Sequence, residues 1–133
     1  MTGFVPSVVA MTTTEMTITR PEVEEFFDRY ADALLARDAP AVAALYAVPS
    51  LILFPGQSIP VTDAQQTEEF FASSWAQYEG VDRVDRSIAI MGGGPGTTWA
   101  DVTWIYGSGS EHFCYQLIAT PGGTQIAVLT LLA

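Results

Sequence analysis

The chain has no lysine and no asparagine, and only one cysteine and one histidine among its 133 residues. Without asparagine there is no N-glycosylation acceptor. The lone Cys114 excludes an internal disulfide and fits a reducing compartment. Metal binding needs clustered His, Cys or carboxylate ligands at short spacing. His112 and Cys114 alternate on one strand face, with Asp101 as the only obvious third ligand, so neither a metal nor a cofactor is expected. Positive charge is scarce: five arginines stand against 15 acidic residues, a net charge of −10. Such a surface repels phosphate backbones and anionic lipid, which excludes nucleic acid and membrane surfaces as partners. Long hydrophobic runs are also missing. Residues 1–11 are mildly apolar, but the stretch is short, broken and without a basic start, unlike a signal peptide or a membrane span. Met1, Met11 and Met16 leave room for a later translation start, and a cytoplasmic location is expected.

What is present is a strong apolar pattern. Hydrophobic residues make up 49% of the chain and charged ones 15%, enough for a core and too few charges for a disordered chain. The length fits one domain. Residues 1–18, rich in Thr and Val, read as an N-terminal arm, and residues 19–133 as a single domain. Thr19, Pro21 and Glu22 form a helix start: a capping hydroxyl, a proline in the first turn and a carboxylate three residues on. Val23, Phe26, Phe27, Tyr30 and Leu34 then make one apolar stripe, predicting an amphipathic helix to about Arg37. Asp38 and Pro40 open a shorter helix carrying Val42, Leu45 and Tyr46, ended by Pro49. A short strand over 50–54 is broken by Pro55 and Gly56. Thr62 and Asp63 cap a third helix with Phe70, Phe71, Ser74, Trp75 and Tyr78 on one side.

After Gly80 the period changes from about 3.6 to 2. Strands are expected at 82–91, 97–106, 110–119 and 124–132, separated by turns at 92–96, 107–109 and 121–123. Helices first and an antiparallel meander afterwards predict an α+β fold. The run from Gly92 to Gly96 lacks the Gly-Lys-Ser/Thr ending of a phosphate loop and precedes a strand, so it reads as a hairpin loop. Gly107-Ser-Gly109 is too short for a serine-hydrolase elbow and joins two strands.

The stretch Phe27-Asp-Arg-Tyr-Ala-Asp-Ala-Leu-Leu-Ala-Arg-Asp-Ala-Pro-Ala-Val-Ala-Ala-Leu-Tyr46-Ala resembles the first helix, acidic break and short second helix of the nuclear transport factor 2-like superfamily. Phe54-Pro-Gly56 and the helix opening near Thr62 continue the pattern, and the element order resembles that family over about residues 20–132. The superfamily includes ketosteroid isomerase, the SnoaL-like polyketide cyclases, limonene epoxide hydrolase and scytalone dehydratase. The resemblance implies a cystatin-like cone: a curved mixed or antiparallel sheet wrapped around three N-terminal helices, with an apolar pocket inside. It says little about activity. Tyr30 falls where ketosteroid isomerases place an oxyanion-donating tyrosine. Their catalytic base would fall on Phe54, which cannot take a proton, and their second donor on Gln116, whose amide can still donate. The Arg–Asp arrangement of limonene epoxide hydrolase has no counterpart, and one histidine does not supply the two of scytalone dehydratase.

The hairpin of strands 97–106 and 110–119 has two faces. One carries Val102, Trp104, Tyr106, Phe113, Tyr115 and Leu117; the other carries Trp99, Asp101, Thr103, His112, Cys114 and Gln116. Simple patterning puts the first set in the core. The resemblance implies the reverse, with the polar set inside the cone and the aromatic face covered by a second subunit, a homodimer. On that expectation Asp101 is a general base with His112 as its partner, a pair suited to removing a proton beside a carbonyl, worth roughly 10²–10⁴-fold in rate. Tyr30 and Gln116 are the oxyanion donors, and Phe27, Phe54, Trp75, Trp99, Thr103 and Cys114 line the ligand site. This describes an isomerase, cyclase or dehydratase acting on an apolar carbonyl or ring compound. The alternatives are a surface Asp101–His112 pair and a non-catalytic, homodimeric binding or accessory protein.

Overall fold

The computed structural model describes residues 17–107 and 109–133. The expected arm over residues 1–18 therefore lies, apart from its last two residues, outside the described residues.

Helix α1 (Arg20–Leu35) begins at the predicted cap. The Thr19 hydroxyl accepts from the Glu22 backbone N–H, and the Glu22 carboxylate accepts from the Thr19 N–H at 2.8 Å, a reciprocal capping box that satisfies two donors left open by the first turn. The predicted stripe is the buried one: Val23, Phe26 and Phe27 are fully enclosed and Tyr30 nearly so. Helix α2 (Ala39–Ala43) is capped by Asp38, and α3 (Ala64–Ser74) by Asp63 in a second capping box with Gln66. A 3₁₀ turn over Trp75–Tyr78 extends α3 and carries two of its aromatic side chains.

Six strands form one sheet in the order β2-β1-β6-β5-β4-β3. They are β1 (Tyr46–Phe54), β2 (Gln57–Val61), β3 (Asp85–Gly94), β4 (Thr97–Tyr106), β5 (Gly109–Thr120) and β6 (Gly123–Leu131). All neighbours pair antiparallel except β1 and β6, which run parallel. The fold is thus α+β, as the pattern predicted, with a curved, mixed and open sheet wrapped around helices, as the resemblance implied.

Four features differ from expectation. The second helix stops at Ala43, and Tyr46 already belongs to β1, opposite Ile126 of β6. Pro49 does not end an element; it sits inside β1 where the register to β6 shifts between Tyr46 and Leu51, a place where a strand tolerates a missing N–H. Strand β2 was not anticipated, because Gln57–Val61 is short and carries Pro60 on a sheet edge. Finally, Gly92–Gly94 pair with Thr97–Trp99, so β3 outlasts its predicted end and the turn shrinks to Pro95 and Gly96, the latter at φ +70° where glycine carries no steric penalty.

The concave side of the sheet holds the core. Ile52, Ala100, Val102, Trp104, Phe113, Tyr115, Leu117, Ile126 and Leu129 turn towards α1 and α3. Phe27 packs edge-on against both Tyr115 and Trp104, with ring centroids 5.0 and 6.1 Å away. At the other edge Arg86 forms an ion pair with Asp28 and also donates to the Glu24 carbonyl, while Arg20 donates to the Ile88 carbonyl, fixing α1 against β3.

Candidate functional site

Between α1, the α3–3₁₀ segment and the concave face of β4, β5 and β6 lies a cavity of about 440 Å³, within the size range of small-molecule pockets. Its wall is mostly aromatic and aliphatic, with Phe54, Phe71, Trp75, Trp104, Phe113 and Leu129 prominent. β-strand alternation decides which strand residues reach it. Positions 104 and 106 of β4 and 111, 113 and 115 of β5 reach it, with Val102 buried on the same side, because Trp104 pairs with Glu111 and Val102 with Phe113.

Two polar groups stand out along this wall. The first is a string of buried hydroxyls. Trp104 Nε1 donates to Tyr115 Oη at 2.8 Å, and Tyr30 Oη lies 2.6 Å from Tyr46 Oη. The Tyr115 hydroxyl also reaches that of Tyr30, linking the two pairs. Burial, followed by the neighbouring phenols, pushes the pKa values of Tyr30, Tyr46 and Tyr115 well above the ordinary 10.0, so all three remain neutral donors.

The second group is Glu111, with Tyr78 and Tyr106. Tyr78 Oη donates to Glu111 Oε1 at 2.8 Å, and the Tyr78 and Tyr106 rings meet edge to face with centroids 5.7 Å apart. Burial, reinforced by the Glu111 carboxylate, raises the pKa of both phenols, which therefore keep their protons. Arg37, at φ +52°, also borders the cavity. Its Nη1 donates to the Leu35 and Val81 carbonyls at 3.0 Å and its Nη2 to the Tyr78 carbonyl at 2.6 Å. It fastens the segment bearing Tyr78 to the end of α1.

The predicted site residues divide sharply. Tyr30, Phe54 and Trp75 do line the cavity. Phe27 is core, buried behind Tyr30 rather than on the cavity wall. The other six require a correction. Asp101 and His112 do come together, with His112 Nε2 3.3 Å from Asp101 Oδ2, but on the convex face, with side chains 21% and 36% exposed. Asp101 lies between Ala100 and Val102, both fully buried on the concave side, so alternation sends it outward. Trp99, Thr103, Cys114 and Gln116 share that outer face; Trp99 is 38% exposed, and Gln116 Nε2 donates to Thr97 Oγ1 at 3.0 Å. The implied inward polar face is therefore overturned, and so is the aromatic dimer face. The aromatic set is large enough to fill the hollow against α1; the polar set is not. Simple patterning was the right guide.

Sequence reasoning missed Glu111 and Tyr78. The signal for Glu111 was present: it is in phase with Phe113, Tyr115 and Leu117, a lone acid on an otherwise apolar face. Among the described residues no group of three or more His, Cys, Asp or Glu could hold a metal ion, and no helix is long and apolar enough to cross a membrane.

No protein-family model matches the chain, and no curated protein does either. Solved structures do. A protein of unknown function with a cystatin-like fold from Nostoc punctiforme aligns with TM-score 0.65 at 14% identity, covering 87% of this chain and 93% of that one. A protein described as a candidate aromatic ring hydroxylase from Novosphingobium aromaticivorans aligns with TM-score 0.59 at 17% identity, covering 82% and 84%. A de novo designed protein with a curved β-sheet aligns with TM-score 0.61 at 10% identity, covering 84% and 100%. Together they show a cystatin-like fold, the class in which nuclear transport factor 2-like proteins fall. At such identities the likeness is one of architecture alone, and a match to a designed chain underlines that this architecture carries no fixed activity.

Proposed function

We propose that the protein encloses an apolar, ring-containing small molecule in the concave cavity, with Glu111 and Tyr78 as the polar end of the site. The supporting observation is a hollow of about 440 Å³ walled by aromatic rings and bordered by a carboxylate with a hydroxyl bonded to it. Calorimetric titration with indole tests it. Leu34→Trp, which adds bulk to a half-buried wall residue, is expected to remove binding, while Thr103→Trp on the convex face leaves it intact. Equal binding by both variants would defeat the reading.

A second reading, acid–base turnover of a carbonyl or ring compound by an isomerase, cyclase or dehydratase, is favoured by the same carboxylate. Glu111 replaces Asp101 as the base in it, since the sheet itself separates Asp101 and His112 from the cavity. Glu111→Gln is then expected to keep binding and lose turnover. The homodimer also remains a proposal, transferred to the convex face with its exposed Trp99 and Ile105; a sedimentation mass of one chain would remove it.

A further inference from the structure

Glu111 is an unusual wall residue because, among the described residues, no basic side chain pairs with it. Among the described residues the ion pairs are Arg20–Glu24, Arg86–Asp28 and His112–Asp101, and none includes Glu111. Its hydrogen-bond partners are neutral phenols, Tyr78 at 2.8 Å and the neighbouring Tyr106, which carry no compensating charge and use only part of a group able to accept about four hydrogen bonds. Arg37, the basic side chain on the same wall, has both Nη1 hydrogens and one Nη2 hydrogen committed to backbone carbonyls.

We propose that the cavity ligand carries a protonated amine on its apolar ring framework, with Glu111 as its counter-charge. This rests on the reading that the cavity binds a small ring compound. Three features converge on it. A cationic ammonium supplies donors to the free lone pairs of Glu111, a charge-assisted contact stronger than a neutral one. The rings of Tyr78 and Tyr106, packed edge to face beside that carboxylate, supply electron-rich aromatic surface to the same end of the cavity. The net charge of −10 raises the local concentration of cations around the molecule and lowers that of anions. An anionic ligand would meet Glu111 with an arginine already mostly occupied.

Tryptamine, indole and indole-3-acetate share one ring system and differ in the charge of the side group. Calorimetry on the full chain, with each compound in turn, reads the preference directly. Tryptamine should bind at least about tenfold more tightly than indole-3-acetate, as expected of one charge-assisted, partly enclosed contact. In Glu111→Gln that preference should fall to near unity. On the wild-type chain, added salt should weaken tryptamine and leave indole alone, a readout that does not need the variant to fold. Indole-3-acetate binding as tightly as tryptamine, a preference that survives Glu111→Gln, or salt-insensitive tryptamine binding would each overturn the amine assignment while leaving the cavity reading standing. If none of the three binds, the cavity reading falls and the amine assignment falls with it.

Discussion

On the concave face of β4 and β5, Trp104 and Tyr115 are buried and hydrogen-bonded to each other; one residue along each strand, Thr103 and Gln116 lie half-buried on the convex face. The two faces come from the same twenty or so residues and share one backbone ladder. They differ in what the curvature of the sheet encloses. The concave side must be filled by side chains from a single layer meeting α1, so bulk is placed there. The convex side meets no described element, so small and polar groups are tolerated, and an Asp–His pair can form without burying an uncompensated charge.

The comparison breaks first at stability. Trp104→Ala should cost about 3–5 kcal/mol, combining a cavity with the loss of the donor to Tyr115, whereas Thr103→Ala should stay within about 0.5 kcal/mol. Urea denaturation midpoints measure both. A large loss at Thr103 would mean that the convex face is buried against something.

Alkaline titration sharpens the same contrast. Tyr30, Tyr46 and Tyr115 have folded pKa values raised above the ordinary 10.0, so their contribution is complete below pH 10 and is lost as pH rises beyond it. The midpoint should hold steady up to that pH and fall above it. Tyr30→Phe should soften the alkaline fall by removing one phenol that must stay neutral. At neutral pH it should cost about 1–2 kcal/mol, because the Tyr46 hydroxyl loses its partner.

The smallest effect is expected outside. Burial and the adjacent Asp101 carboxylate push the Cys114 thiol up to about 11. Alkylation by iodoacetamide, which needs the thiolate, should therefore keep accelerating up to about pH 11. Asp101→Asn should move that profile to lower pH and change stability by less than about 1 kcal/mol, as befits a partly exposed Asp–His contact. An unchanged profile would show that Asp101 does not act on Cys114.

Much of the architecture was legible because local chemistry and global fold agree. Thr19 and Asp63 start helices where capping residues should, the Val23–Tyr30 stripe is the buried one, and the four late strands follow the period of two. Less legible was anything decided between distant segments. Tyr46 and Ala47 continue a helical pattern, yet they are claimed by β1, whose Tyr46 meets Ile126 some eighty residues later. The site was readable only in part. Alternation divided the hairpin into two faces correctly, but which face was inside depended on volume, and the aromatic set has more of it. Tyr78 was placed on the apolar side of the third helix, but its pairing with Glu111 was not readable, because it acts from a 3₁₀ turn held in place by Arg37 through backbone carbonyls, a contact with no sequence periodicity.

The parallel pairing of β1 with β6 has a consequence for the order of assembly. Ile52 lies beside Leu129, so an early segment waits for the final strand before its edge is covered. Such long-range pairing slows folding. During synthesis the β1–β2 hairpin would stand as an unprotected edge until β6 leaves the ribosome and slots between it and β5. Truncation of the last strand should therefore strand the two halves of the sheet as separate pieces instead of merely trimming one side of it.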